Sequence, residues 1–85
     1  GKTIEFNSPG EFSLDGLERP VLVDCWASWC KNCAAMESTT LGDDRVKAKL
    51  EGFTVVRLRA ENIRELVATP GFGKAIGLPA FAIFE

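Results

Sequence analysis

Histidine is absent from this chain of 85 residues, and cysteine occurs only three times. Each scarcity excludes something. Cys30 and Cys33 form the single Cys-x-x-Cys pair, so a closed four-ligand zinc site has to recruit Cys25 and a carboxylate, which suits zinc poorly. No metal is expected. An odd and small cysteine count excludes a disulfide-stapled scaffold and leaves at least one thiol free if Cys30 and Cys33 bridge. Five lysines and five arginines are scattered among 12 acidic residues for a net charge of -2, without the basic patch that a phosphate backbone requires. Nucleic acid is therefore not an expected partner. No window approaches the roughly 20 apolar residues of a membrane-spanning helix, and no basic-then-apolar signal region opens the chain. Direct membrane insertion is not expected of this polypeptide, although excision from a larger membrane or exported protein is compatible with it.

What is present suits a folded, soluble chain. The hydrophobic share is 46% and the charged share 26%, and the length allows one core, so residues 1–85 are expected to form a single domain. Repeats, linkers and low-complexity segments are absent. Thr3 to Phe6 alternates as a short strand, ended by Asn7, Ser8, Pro9 and Gly10. A short helix is expected over Glu11 to Leu17, with Phe12, Leu14 and Leu17 inward. Val21 to Ala27 reads as a central strand covered on both faces. A helix follows from Cys30 to Leu41, stopped by Gly42, and another starts at the N-cap Asp43 with Val46 and Leu50 inward. Phe53 to Leu58 is a third strand, Asn62 to Ala68 a helix, and the apolar run after Pro79 a final strand. Alternating strands and helices call for an α/β fold with a mainly parallel sheet and helices on its faces.

Within VLVDCWASWCKNC, residues 21–33, the two cysteines at a strand-to-helix junction have a chemical logic. Free backbone N–H groups and the positive end of the helix dipole favour a thiolate on the first sulfur, making Cys30 the candidate nucleophile. Cys33, one turn on, can resolve a mixed disulfide. The competing reading is a static bridge, yet so small a loop constrains the unfolded chain little. Asp24, in a doubly covered strand, should have a raised pKa and suits acceptance of the Cys33 proton; the alternative places it in solvent at a strand end. Cys25 points away from Asp24 and is expected to be a buried, inert thiol. Trp26 is expected in the core, and Trp29 at the rim of the site, shielding the thiol.

The segment Trp26-Ala27-Ser28-Trp29-Cys30-Lys31-Asn32-Cys33 resembles the W-A-x-W-C-x-x-C signature of the thioredoxin superfamily, with Asp24 at the position of its buried acid. Gly77-Leu78-Pro79-Ala80 resembles the loop whose cis-proline lies beside the active-site disulfide and pairs with the substrate chain. Trp29, Leu78 and Pro79 are then the expected substrate-binding residues, and Leu78-Pro79 the bond expected to be cis. Within the superfamily the likeness is to the C-terminal periplasmic domain of the DsbD family of transmembrane thiol:disulfide interchange reductases. Glu37 matches a second acid there, and Thr40-Leu41-Gly42-Asp43-Asp44-Arg45-Val46 resembles the segment after the active-site helix. Read from the residues alone, Glu37 is an exposed helix position.

The resemblance implies a thioredoxin-like fold with a mixed central sheet and flanking helices. It implies a protein-disulfide reductase that needs no cofactor beyond its cysteine pair and works as a monomer. Its partners are protein disulfides or dithiols and a membrane electron-donor domain, and its place is the periplasm, as part of an inner-membrane protein. A stand-alone cytoplasmic thioredoxin is the alternative, and a non-catalytic metal-binding or structural module is the reading from another class. Two departures from the family stand out. Lys31-Asn32 replaces the Gly-Pro of thioredoxin and lacks the histidine of strongly oxidising relatives, which leans towards a reductant. The family's last strand and C-terminal helix have no counterpart before Glu85, so Phe81, Ile83 and Phe84 are expected on an edge strand with part of its cover missing. On that expectation, a chain extended by its native downstream residues melts several degrees higher.

Overall fold

The fold, described for residues 2–85 from a computed structural model, is built around β2 (Val21–Trp26). Its alternation sorts the side chains. Val21, Val23 and Cys25 are fully buried on one face, whereas Leu22, Asp24 and Trp26 belong to the other. β3 (Thr54–Arg59) lies parallel to β2, Cys25 opposite Leu58 and Asp24 opposite Arg57. β1 (Thr3–Phe6) is parallel to β3 on the far side, and β4 (Ala80–Phe84) runs antiparallel to β2. The sheet order is β1-β3-β2-β4, so the sheet is mixed and β2 is central. The parallel pairs come from crossover connections, while the final strand returns against β2 in the opposite sense.

The main core forms where Val21, Val23, Cys25, Val56 and Leu58 meet Leu66 and Phe72. Phe12 joins it, packing edge-on against Phe6 and Phe72 with ring centroids 5.7 and 6.3 Å away. The helix expected over Glu11 to Leu17 does not form. A 3-10 turn over Pro9–Glu11 stands in its place, and Phe12 is already extended (φ -66°, ψ 131°). Two glycines weaken any helix here, and Gly16 takes the left-handed region at φ 77°, which ends helical propagation. Burial of Phe12 outweighs the local preference.

Three α-helices complete the described residues: α1 (Lys31–Ser38), α2 (Asp44–Leu50) and α3 (Ile63–Val67). Asp43 and Asn62 cap the last two through side-chain oxygens that accept from Arg45 N–H and Arg64 N–H. Val46 and Leu50 are half-buried. α1 stops short of the expected Leu41 because the hydroxyls of Ser38 and Thr39 both donate to the Ala35 carbonyl, at 3.2 and 2.7 Å, competing with helical propagation.

β4 corrects one expectation. Phe81 and Ile83 are exposed, but Phe84, opposite Val21, turns to the other face and packs on Phe12 and Phe72 at 6.2 and 6.4 Å. Gly71 lies under that ring with φ 94°, and an added Cβ there would come within 2.7 Å of Phe84 Cζ. Substituting Gly71 with alanine is therefore expected to cost about 1–3 kcal/mol, from left-handed strain plus overpacking. Thermal melting checks this; an unchanged midpoint would show that Phe84 swings aside freely.

Candidate active site

The loop leaving β2 is short, and its geometry fixes the cysteines. Cys30 N–H donates to the Ala27 carbonyl at 3.1 Å, and Cys30 is the N-cap of α1 in an extended conformation. Its sulfur accepts the backbone N–H of Cys33 at 3.1 Å. The sulfur thus takes up one of the amide donors that a helix start leaves free. Cys30 and Cys33 are disulfide-bonded, with Cα atoms 5.3 Å apart. Both are mostly buried and form a small cluster with Ala27, against which Trp26 and Leu78 pack. Leu78-Pro79 is cis and immediately precedes β4, which brings the loop to the cluster. Arg19-Pro20 is cis as well, which the sequence reading did not anticipate.

Asp24 lies in the middle of β2 and is buried. It lines a cavity of about 280 Å³ together with Leu22, Leu41, Leu50, Val55 and the exposed Lys47. Burial pushes its pKa above the ordinary aspartate value; the Arg57 guanidinium pulls it back, and the Glu37 carboxylate adds a smaller push upwards. Burial is the largest effect, so the carboxyl holds its proton to higher pH than a surface aspartate.

Glu37 is exposed on α1 and is held by Arg57, with Nη2 to Oε1 at 3.2 Å. The other terminal guanidinium nitrogen, Nη1, reaches Glu5 of β1 at 3.2 Å. Arg57 therefore ties α1 to the sheet beside Asp24, its cross-strand neighbour. Trp26, expected in the core, is instead half-buried beneath two cations, with Arg57 and Arg59 at 4.8 and 5.5 Å from its ring centroid. Trp29 is 57% exposed beside the cysteines. Cys25 is fully buried on the opposite face of the sheet, and burial, helped by the Asp24 charge, pushes its thiol up to about 12.

Sequence reading missed Glu61. This residue follows β3, and its carboxylate accepts from both the N–H and the hydroxyl of Ser28, at 2.6 and 2.5 Å. Its own carbonyl accepts the Trp29 indole N–H at 3.0 Å. Nothing in local spacing signals a pairing across 33 positions; an acid just after a strand end, facing a serine in the cysteine loop, was the only trace. Among the described residues, no group of three or more histidine, cysteine or acidic side chains is placed to hold a metal ion. No helix among them is long and apolar enough to cross a membrane.

A bonded Cys-x-x-Cys pair at a helix start, with the loop of a cis-proline packed against it, defines a thiol–disulfide oxidoreductase. Residues 16–85 match the thioredoxin-like family, and the chain belongs to that family. Among characterised proteins it is similar to the thiol:disulfide interchange protein DsbD of Campylobacter jejuni, 29% identical over 68 residues, which cover 79% of this chain and 12% of that protein. DsbD of Yersinia pestis is 29% identical over 69 residues, 79% of this chain and 11% of the relative. DsbD of Ralstonia nicotianae is 46% identical over 43 residues, 51% of this chain and 7% of the relative. The chain thus spans about an eighth of the length of the first of these relatives.

Proposed function

We propose that this chain is an electron-passing domain of a DsbD-type thiol:disulfide interchange protein, acting as a reductase of protein disulfides. The observation that carries the reading is the Cys30 sulfur at the α1 N-cap, accepting the Cys33 N–H and bonded to the Cys33 sulfur. In the reduced form the same amide and the helix dipole favour a Cys30 thiolate. That thiolate attacks one sulfur of a partner disulfide, forming a mixed disulfide and releasing the partner's other sulfur as a thiolate that takes a proton. Cys33 then loses its proton to Asp24 and attacks the Cys30 sulfur. The mixed disulfide breaks, the second partner thiol leaves, and Cys30–Cys33 is restored. Two electrons have passed to the partner.

Trp29, Leu78 and Pro79 form the lip on which the partner chain lies, and Glu37 assists Asp24 through its charge. The cysteine pair carries both electrons, so no separate cofactor is needed. A membrane domain of the same protein re-reduces the pair, which places this domain in the periplasm. Support for the DsbD assignment comes from the three relatives above; support for exchange chemistry comes from the cysteine geometry.

A redox titration in glutathione buffers, read by alkylation and mass, tests the proposal. Cys30 and Cys33 are expected to gain label together in one two-electron step, with a potential near the roughly -270 mV of reducing thioredoxins. A potential above about -150 mV would mean an oxidant instead. Independent labelling of the two thiols would remove the exchange reading altogether.

A further inference from the structure

We propose that Glu61 is a positioning residue that locks the loop ahead of Cys30, and Trp29 with it, in the form to which a partner protein docks. The inference rests on the reading of Cys30 and Cys33 as an exchange pair. Two adjacent loop residues place three hydrogen bonds on this one residue: Ser28 N–H to Oε2 at 2.6 Å, Ser28 Oγ to Oε1 at 2.5 Å, and Trp29 Nε1 to the backbone carbonyl at 3.0 Å. Among the described residues, no other side chain bonds to Ser28 or Trp29.

The clamp is itself braced. Arg59 Nε donates to Glu61 Oε2 at 3.1 Å, and the same guanidinium lies over Trp26, which packs against the cysteine cluster. Behind it, Ala60 N–H donates to the Trp26 carbonyl at 2.7 Å, fastening the base of the Glu61 loop to the end of β2. The bonds from Ser28, followed by Arg59, hold the Glu61 carboxyl below the usual glutamate range. It is therefore ionised at neutral pH, and its bonds are of the stronger, charge-assisted kind.

Position separates this role from plain structural support. Ser28, Trp29 and Glu61 are all exposed, where hydrogen bonds add little to global stability. Trp29 is 57% exposed and directly precedes Cys30, so unclamped it would sample several rotamers, and a docking partner would bear the cost of ordering it. Fixing it beforehand improves partner binding and leaves the sulfur chemistry alone. The expected signature is a change in KM, not kcat, and only for substrates large enough to touch Trp29.

Steady-state reduction of insulin, with dithiothreitol as electron source, is compared with reduction of dithiobis(nitrobenzoate), a small disulfide. Glu61→Ala is expected to raise KM for insulin about threefold to tenfold, the worth of one or two net hydrogen bonds. The insulin kcat and the small-disulfide rate should stay within about twofold of wild type. Ser28→Ala removes one bond and should give a smaller rise, Glu61→Gln should restore part of the loss, and the double variant should be no worse than Glu61→Ala alone. An unchanged insulin KM in Glu61→Ala overturns the proposal. So does an equal loss with the small disulfide, or Ser28 and Glu61 effects that multiply. Should Glu61→Ala melt early, Ser28→Ala, which lacks only a hydroxyl, decides the matter on the same KM criterion. A Cys30→Ser control separates the layers: turnover surviving there refutes the exchange reading, whereas a silent control with an unmoved Glu61→Ala refutes only the clamp.

Discussion

With serine at position 30, insulin reduction is expected to fall by about a thousandfold or more, towards the uncatalysed rate. The change replaces one atom at the N-cap of α1, where the sulfur accepts the Cys33 amide. A hydroxyl in the same place still caps the helix, since serine is a preferred N-cap residue. It does not ionise near neutral pH, and this site supplies no adjacent histidine to activate it. Folding should survive, because the bridge closes only a short loop, and the constraint it places on the unfolded chain is correspondingly small. Near-UV circular dichroism like that of the wild type, with activity gone, is the expected pair of results. Serine at position 33 should instead accumulate a covalent mixed disulfide with the partner, visible by mass, because attack proceeds and resolution does not. Full activity in the Cys30 variant would mean that the reactive thiol lies elsewhere.

Asp24→Asn carries the second large effect, and it acts on stability and rate in opposite directions. Burial raises the Asp24 pKa more than Arg57 lowers it, so between the ordinary aspartate value and the raised native value the folded protein holds a proton that the unfolded chain has released. The stability tied to that proton is fully present below the unfolded-state pKa and is lost as pH rises through the native one. Above that window, an ionised carboxylate sits in a buried strand. Asparagine removes the penalty, and the variant should be more stable than wild type at pH 7 by about 1–3 kcal/mol. The two proteins should converge in acid. Resolution of the mixed disulfide should slow by roughly tenfold or more once its proton acceptor is gone. Urea melts at pH 3.5 and 7, together with single-turnover rates, measure both. Parallel stability curves at the two pH values would show that Asp24 titrates normally. An unaltered rate at every pH would end its role as acceptor.

Legibility in the sequence followed the range of the interaction. The cap at Asp43, the start of α1 at Cys30 and the extent of β2 as a central strand are set within a few residues, and each could be read directly. The two faces of β2 also followed, because burial on a central strand leaves Cys25 and Asp24 no choice of side. The thioredoxin-like frame came from a motif whose parts are local: Trp26 to Cys33, and the Gly77–Ala80 loop.

Three features depend on partners far along the chain, and those were not visible. Glu11 to Leu17 has apolar residues at workable helical positions, but Phe12 gains more from Phe6, Phe72 and Phe84 than a short, glycine-containing helix can return. Phe84 was grouped with Phe81 and Ile83 although alternation puts it on the other face; what depended on distant residues is the cover that Phe12 and Phe72 give it there. Charged side chains were the least legible. Glu37 looked like a free helix acid until Arg57 was placed beside it, and Glu61 had no local reason to meet Ser28.

Cys25 shows what the sheet does for an odd thiol. Three cysteines within nine positions invite mispaired products each time the pair is opened and closed. With its side chain on the far face of β2 and its thiol pushed up to about 12, Cys25 supplies almost no thiolate, and β2 stands between it and the other two sulfurs. Repeated cycles of opening and closing therefore keep returning to the same bond, and the native protein offers a thiol reagent two targets, not three.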